Sequence, residues 1–104
     1  MGASVLNRDT QVWRNADPPG KSLLTSEEWD QVGLILELTP REKQVCQLLF
    51  LGITRVKIAD QLQIKPRTVR HFTEQIHTKL QVNNRVGVVL RIIEIRDSIR
   101  RTAN

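Results

Sequence analysis

The sequence predicts an all-α fold, and three observations support that prediction. Apolar residues recur at intervals of three and four, capping residues precede the patterned segments, and no segment alternates as a β-strand would. The chain has 104 residues, of which 39% are hydrophobic and 4% aromatic, so Leu, Ile and Val must form most of the core. This length suits one domain, and a single cysteine, Cys46, rules out an internal disulfide.

The first part of the chain is expected to be an arm followed by a helix. Residues 1–24 show no sustained period and contain the turn-forming run Asp17-Pro18-Pro19-Gly20, which predicts a flexible arm or linker. Thr25 or Ser26 can cap an N-terminal helix over residues 25–37, and Glu27 and Glu28 suit its first turn.

Residues 38–101 are predicted to form four further helices. Thr39, Pro40 and Glu42 have the spacing of a capping box with proline at the first helical position, and Gly52 is placed to end that helix. Thr54 can cap a second, short helix. The remaining predicted elements are a helix from Pro66 to about Leu80, a helix from about Arg85 to Arg101, and a short tail at residues 102–104.

Charge is unevenly distributed along the chain. Residues 1–37 have a formal charge of −3, whereas residues 38–104 carry 13 basic and five acidic side chains, a formal charge of +8. A compact segment this basic attracts polyanions such as nucleic acid, although charge alone is equally compatible with a solvated basic surface.

The helix predicted after Pro66 has two distinct faces. At 100° per residue, an apolar core face and a polar outer strip lie opposite each other. The core face comprises Val69, Phe72, Ile76 and Leu80, and the outer strip comprises Arg67, Arg70, His71, Glu74 and Thr78. A short helix, a tight turn and a second helix with a polar outer strip form a helix-turn-helix layout, whose second helix fits the major groove of DNA. The predicted base contacts are four residues of this strip, Arg67, Arg70, His71 and Glu74.

Sparse residues across this region resemble a known family. The sequence is similar to the LuxR-type (GerE) helix-turn-helix domain of bacterial transcription regulators over about residues 38–95. The matching residues are Leu38-Thr39-Pro40-Arg41-Glu42, Gly52, Ile58-Ala59, Leu62, Ile64, Thr68-Val69, Ile76, Lys79-Leu80, Val82 and Asn84-Arg85. The resemblance implies a four-helix DNA-binding domain, here with an additional N-terminal helix and arm, whose third helix reads the major groove and whose fourth commonly makes the dimer contact.

The resemblance also implies contacts to the DNA backbone and shows departures from the family pattern. The predicted backbone contacts are Thr39, Arg55, Lys57, Lys65, Thr68, Lys79 and Arg85. Gln63 and Gln81 stand where glycine is frequent, and Glu74 stands where a basic or polar residue is frequent. Glu74 can accept a hydrogen bond from a cytosine amino group or hold Arg70 or Arg67 in place, and the second interpretation is preferred.

The last predicted helix carries two apolar stripes on nearly opposite sides. Val86, Val89, Leu90 and Ile93 are expected to close the core, and Val88, Ile92, Ile95 and Ile99 then need a cover. Three covers are possible: the same helix of a second chain, the N-terminal helix, or a partner outside this chain. A homodimer through this second stripe is the favoured interpretation.

Other chemistry is not indicated by the sequence. His71 and His77 are the only histidines and Cys46 the only cysteine, without the spacing of a metal site, and there is no phosphate-binding loop or catalytic constellation. We therefore expect neither an enzyme nor a cofactor. With no apolar run of about 20 residues and no secretion signal, the expected location is cytoplasmic and not in a membrane.

The sequence thus favours a sequence-specific regulator that binds double-stranded DNA, expected as a homodimer. The alternative is a helix-turn-helix that serves as a protein-interaction module, for instance on RNA polymerase or a regulator protein, because Val56 and Glu74 are unusual for a DNA-facing surface. Salt dependence separates the two hypotheses, since DNA binding weakens steeply with salt and apolar contacts do not.

Overall fold

The computed structural model describes residues 20–103, which form five helices and no strands. The helices are α1 (Ser26–Ile35), α2 (Pro40–Phe50), α3 (Arg55–Leu62), α4 (Pro66–Leu80) and α5 (Arg85–Ala103). The all-α prediction is confirmed, and α2 and α4 begin at the predicted prolines. Of the predicted arm, residues 1–19 lie outside the described part of the chain.

Helices α1 and α2 begin with the same arrangement of cap hydrogen bonds. The backbone N–H of Glu28 donates to Thr25 Oγ1 at 3.1 Å, and the backbone N–H of Thr25 donates to Glu28 Oε1 at 2.9 Å. Thr39 and Glu42 repeat both bonds at the same two distances. The capping box predicted from Thr39 and Glu42 is therefore confirmed, and such caps stabilise a helix by about 0.5–2 kcal/mol.

Four helices end with a residue in the left-handed region. These residues are Glu37 (φ 55°), Gly52 (φ 79°), Gln63 (φ 57°) and Gln81 (φ 59°). In each case the N–H of the next residue bonds a carbonyl five residues back: Leu38 to Gly33, Ile53 to Leu48, Ile64 to Ala59 and Val82 to His77, at 2.9–3.1 Å. Those next residues are apolar and partly buried, as in a Schellman motif. Only the end at Gly52 has the glycine that normally marks this conformation.

The core contains one face of every helix. The core face predicted for α4 is confirmed, since Val69, Ile76 and Leu80 are buried and Phe72 packs beside them. Cys46 is completely buried in α2, and burial raises the pKa of its thiol to about 12. The thiol is therefore protonated at neutral pH and inaccessible.

The predicted dimer stripe of the last helix is instead part of the core of a single chain. Val88 and Ile92 have no exposed surface, and Ile95 and Ile99 are partly buried against the same core. Helix α1 packs on α5, and its Trp29 and Val32 belong to that core. The prediction that this stripe forms a dimer interface is wrong, because the core of a single chain already buries it, and the N-terminal helix, one of the three possible covers, is part of that core.

The other stripe of α5 was assigned to the core and is largely outside it. Val86 and Leu90 are 66% and 59% exposed, whereas Val89 and Ile93 are partly buried. The prediction that this stripe closes the core is therefore wrong for Val86 and Leu90. Both stripes consist of branched aliphatic residues at helical spacings, so the sequence did not indicate which one the rest of the chain would cover.

Polar contacts fix α1 and the residues before it to the end of α5. Arg100 donates from Nε to Glu28 Oε2 at 2.8 Å and from Nη2 to the Leu23 carbonyl at 3.1 Å. Arg96 donates to the same carbonyl at 3.3 Å, and Leu24 is buried. Two predicted boundaries therefore change: Leu24 belongs to the core rather than to a flexible arm, and α5 continues to Ala103 rather than ending in a tail at residue 102.

Replacing Gln81 by glycine should stabilise the protein. The left-handed conformation costs a residue with a Cβ about 1–2 kcal/mol, which glycine avoids, while the gain is reduced by the greater freedom of glycine in the unfolded chain. We expect Gln81→Gly to raise the free energy of unfolding by about 0.5–1 kcal/mol in urea denaturation. Gln75→Gly, at an exposed position inside α4, is the matched control and should destabilise by about 1 kcal/mol. A less stable Gln81→Gly protein would contradict the strain argument.

The ion pair of Glu28 should make stability depend on pH below the ordinary range of a carboxyl group. The hydrogen bond from Arg100, followed by that from the Thr25 backbone, lowers the pKa of Glu28 from 4.5 to about 2. Its stabilising contribution is therefore complete above pH 4.5 and is lost as the pH falls towards 2. We expect parent protein and Glu28→Gln to converge in thermal stability over this window. Glu27→Gln, at the exposed neighbouring position, is the control, and the difference between its thermal stability and that of the parent should not change over the same pH window.

Candidate nucleic-acid interface

A short turn joins α3 to α4 and fixes the orientation of α4. Gln63 adopts the left-handed conformation, and its side-chain Nε2 donates to the Asp60 carbonyl at 2.8 Å. Ile64 follows with its side chain partly buried in the core, and Pro66 occupies the first position of α4. Helix α4 packs on both α3 and α2. These contacts fix which face of α4 points away from the core.

The outer strip of α4 is displayed as predicted. Arg67, Arg70, His71 and Glu74 are all exposed, on the side of the helix opposite its buried residues. Gln75 is also exposed and borders the strip next to His71, a position that the sequence analysis did not select. Its carboxamide has the donor and acceptor needed to pair with an adenine edge. Its position four residues after His71, on the same side of the helix, could have identified it from the sequence.

An ion pair links two members of the outer strip. Arg70 Nε lies 3.3 Å from Glu74 Oε1, and both side chains are about two-thirds exposed. In the free chain Glu74 thus pairs with one of the two arginines named in the preferred interpretation, whose bearing on DNA readout stays a prediction. An exposed pair four residues apart on a helix is worth about 0.3–0.5 kcal/mol, so little free energy opposes its rearrangement.

Several of the predicted backbone contacts surround the first turns of α3 and α4. Arg55 and Lys57 are exposed in α3, and Lys65 is exposed at the N-cap of α4, whereas Thr68 is partly buried. Within residues 20–103, no side-chain hydrogen bond or ion pair engages these three cations, and the N-cap of α4 has no side-chain cap bond. The positive ends of the two helix dipoles therefore lie beside three unpaired cations, which favours anion binding.

A cleft of about 570 Å³ extends this cationic surface towards α5. Arg55 from α3 and Arg85 from α5 both line it, together with Thr54, Thr73 and His77. Val56 also lines the cleft and is 67% exposed. The fold thus brings two predicted backbone contacts that are thirty positions apart in the sequence to one cleft.

Lys79 has a role inside the chain that the sequence analysis missed. Its Nζ donates to Glu42 Oε1 at 2.7 Å and to the Glu37 carbonyl at 2.8 Å, and its side chain is 33% exposed. Burial acts to raise the pKa of Glu42, but hydrogen bonds from Lys79 and Thr39 outweigh it, so this pKa lies below the ordinary value. Lys79 joins the end of α4 to the start of α2, and two of its three donors are already used.

The part of the chain that the structure describes has neither a candidate metal site nor a candidate membrane span. Residues 20–103 contain no group of three or more His, Cys, Asp or Glu side chains that could hold a metal ion. None of the five described helices has the length and hydropathy of a membrane-spanning segment.

Comparison with known families identifies the domain. The family model described as bacterial regulatory proteins of the luxR family (GerE) matches residues 36–92, which run from the end of α1 into α5. The chain belongs to the LuxR family. Members of this family are transcription regulators rather than enzymes, and the resemblance noted in the sequence over residues 38–95 is thereby confirmed.

Two transcriptional regulatory proteins resemble the chain. The transcriptional regulatory protein FixJ of Bradyrhizobium diazoefficiens is 34% identical over 71 residues, which is 68% of this chain and 34% of FixJ. The transcriptional regulatory protein DesR of Bacillus subtilis is 43% identical over 54 residues, 52% of this chain and 27% of DesR. The chain therefore spans about a third of the length of these relatives or less. No solved structure matches it significantly.

Removing the charge of Lys79 should destabilise the fold. Lys79→Met leaves the buried Glu42 carboxylate without one of its donors, and we expect a loss of about 1–3 kcal/mol in the free energy of unfolding. Lys65→Met, at an exposed cap position without a side-chain partner among the described residues, is the control and should change stability by less than about 0.5 kcal/mol. Equal unfolding midpoints for the two variants would show that the Lys79 contacts contribute no net stability.

Proposed function

We propose that this domain binds double-stranded DNA sequence-specifically as part of a transcription regulator, with α4 in the major groove. The observation that carries the proposal is the outer strip of α4, which is exposed, polar and held in orientation by the turn at Gln63. A helix of this diameter fits the major groove, and the side chains near its N-terminus reach base edges. The bacterial cytoplasm is the corresponding location.

The residues of the outer strip supply the donors and acceptors needed for base readout. The guanidinium groups of Arg67 and Arg70 can each form two hydrogen bonds with guanine O6 and N7, and His71 adds a ring nitrogen. Glu74 pairs with Arg70 in the free protein, and the same pair on DNA would weakly favour one position of the guanidinium group. The strip therefore suits a site containing at least one G·C pair.

The surrounding cations are proposed to hold the sugar-phosphate backbone. Arg55, Lys57 and Lys65 lie beside the N-termini of α3 and α4, where backbone N–H groups add donors. Thr68 and Thr39 contribute hydroxyl groups, and Arg85 extends the contact across the cleft. Lys79 is expected to contribute little, because Glu42 and the Glu37 carbonyl already bind its ammonium group.

A homodimer is proposed through the exposed stripe of α5. Val86 and Leu90 are large apolar side chains more than half exposed, one helical turn apart, with Val89 and Ile93 beside them. Pairing of this stripe across a two-fold axis buries apolar surface and presents two α4 helices to an inverted repeat. This proposed interface lies on the opposite side of α5 from the stripe containing Val88, which was the dimer interface expected from the sequence.

A protein-interaction module remains the second candidate, because of one exposed side chain. Val56 is 67% exposed in the first turn of α3, between two cations, where an apolar group gains nothing from a phosphate. The partner in that case would be RNA polymerase or another regulator protein. DNA binding requires the logarithm of affinity to fall steeply with the logarithm of salt concentration, whereas an apolar protein contact would be nearly independent of salt.

The decisive experiment is selection of bound sites from random duplex DNA, followed by affinity measurement on the selected site. Arg70→Ala should bind that site about 5- to 150-fold more weakly, a loss of about 1–3 kcal/mol, and should lose selectivity at one base pair. Arg101→Ala, exposed in the last turn of α5, is the charge-matched control and should lose much less. No enriched sequence, or an Arg70→Ala protein with parental affinity and selectivity, would exclude base readout by α4.

The proposed dimer predicts a second variant effect. Leu90→Asp places a charge in the α5 stripe and should abolish cooperative binding to an inverted repeat while leaving binding to a single half-site intact. Leu34→Asp makes the same change at a 79% exposed position on α1 and serves as the control. Unchanged cooperativity in Leu90→Asp would place any dimer contact elsewhere.

A further inference from the structure

A groove of about 420 Å³ lies between α2 and α3, beside the start of α1. We call it the α2–α3 groove. Three leucines and three glutamines from α2, its C-terminal end and α3 line it, together with Lys21, Leu24 and Trp29. The six are Leu48, Leu51, Leu62, Gln44, Gln47 and Gln61. The outer strip of α4 is not part of its lining, so the groove is separate from the proposed DNA-binding surface.

The composition of the groove suits a peptide segment with apolar side chains. Gln44, Gln47, Leu48 and Leu51 follow the spacing i, i+3, i+4 and i+7, so α2 has a second stripe besides the one in the core. The leucines pack against the core and are only partly buried, which leaves apolar surface in the groove. The glutamine amides offer both donors and acceptors to a peptide backbone. Lys21 is the one formally charged side chain among the described residues that line the groove. A groove with a single cation is poorly suited to binding the phosphate backbone of a nucleic acid.

The path of the chain identifies a candidate occupant. At Gly20 the backbone passes close to Phe50, because a Cβ there would lie 3.1 Å from Phe50 Cε2. Lys21 and Leu24, which follow directly, both line the groove. Residues 1–19 therefore join the domain at the edge of the groove, and a tether this short gives an effective concentration of the order of millimolar.

Residues 1–19 contain the apolar side chains needed to fill such a groove. Val12 and Trp13 form one apolar pair and Val5 and Leu6 another. Trp13 precedes Gly20 by seven residues, which span up to about 23–25 Å when extended. A tryptophan side chain buries about 150–250 Å², more than any other side chain in this segment can offer.

We propose that the α2–α3 groove is an intramolecular docking site for residues 1–19, with Trp13 as the principal contact. The tether favours this segment over a second copy of the chain or an unrelated protein, which must bind without it. Docking on this face leaves the outer strip of α4 free. The proposal is thus independent of DNA binding, and either can fail without the other.

A nitroxide probe tests the proposal in the full-length chain. Gln11→Cys introduces a reactive thiol next to Trp13, while Cys46 is completely buried and its thiol remains protonated, so the label attaches at position 11. We expect the nitroxide to broaden the side-chain amide signals of Gln44, Gln47 and Gln61 and to leave the backbone signal of His71 in α4 sharp. Uniform broadening, or none, would overturn the proposal.

Two controls identify the occupant. Adding Trp13→Ala to the labelled Gln11→Cys protein should remove the selective broadening, whereas Arg8→Ala should leave it unchanged. A mixture of labelled protein without ¹⁵N and unlabelled ¹⁵N protein should show no broadening if docking is intramolecular. Broadening in that mixture would assign the groove to a second copy, and persistence after Trp13→Ala would exclude Trp13 as the contact. Either result would overturn the proposal as stated.

Discussion

The carboxylate of Glu42 connects three parts of the fold through one buried group. It completes the cap of α2 by accepting from the Thr39 backbone, and it accepts from Lys79 at the far end of α4. Lys79 in turn bonds the Glu37 carbonyl in the loop between α1 and α2. Burial of a carboxylate is costly unless donors surround it, so these bonds require the three segments to keep one relative arrangement. The orientation of α4, and with it the outer strip, depends on that arrangement.

The helices could be predicted from sequence because their signals are local. Thr39, Pro40 and Glu42 define the start of α2 within one turn, and Pro66 defines the start of α4. The polar and apolar faces of α4 follow from helical geometry alone, which is why the outer strip lies where the pattern placed it. These inferences required no knowledge of what each helix packs against.

The partners of each surface could not be predicted in the same way. The two stripes of α5 are both rich in Val and Ile, and the choice between them depends on where α1 lies, which is set by Trp29, Leu24 and the bonds of Arg100. Lys79 was assigned to phosphate through the family resemblance, because the sequence does not show that Glu42, 37 residues earlier, lies beside it. The helix ends at Glu37, Gln63 and Gln81 lack the glycine that would have marked their conformation. Long-range packing decided each of these cases.

The attachment of α1 to α5 also determines where the folded unit ends. The LuxR-family match covers residues 36–92, but Trp29 and Val32 lie before it and form part of the same core as Ile92. A polypeptide cut at the limits of that match would lose Trp29 and Val32 from the core, together with the ion pair between Glu28 and Arg100. The autonomous folding unit is therefore longer than the family signature at both ends, and the helix that precedes the signature belongs to it by packing.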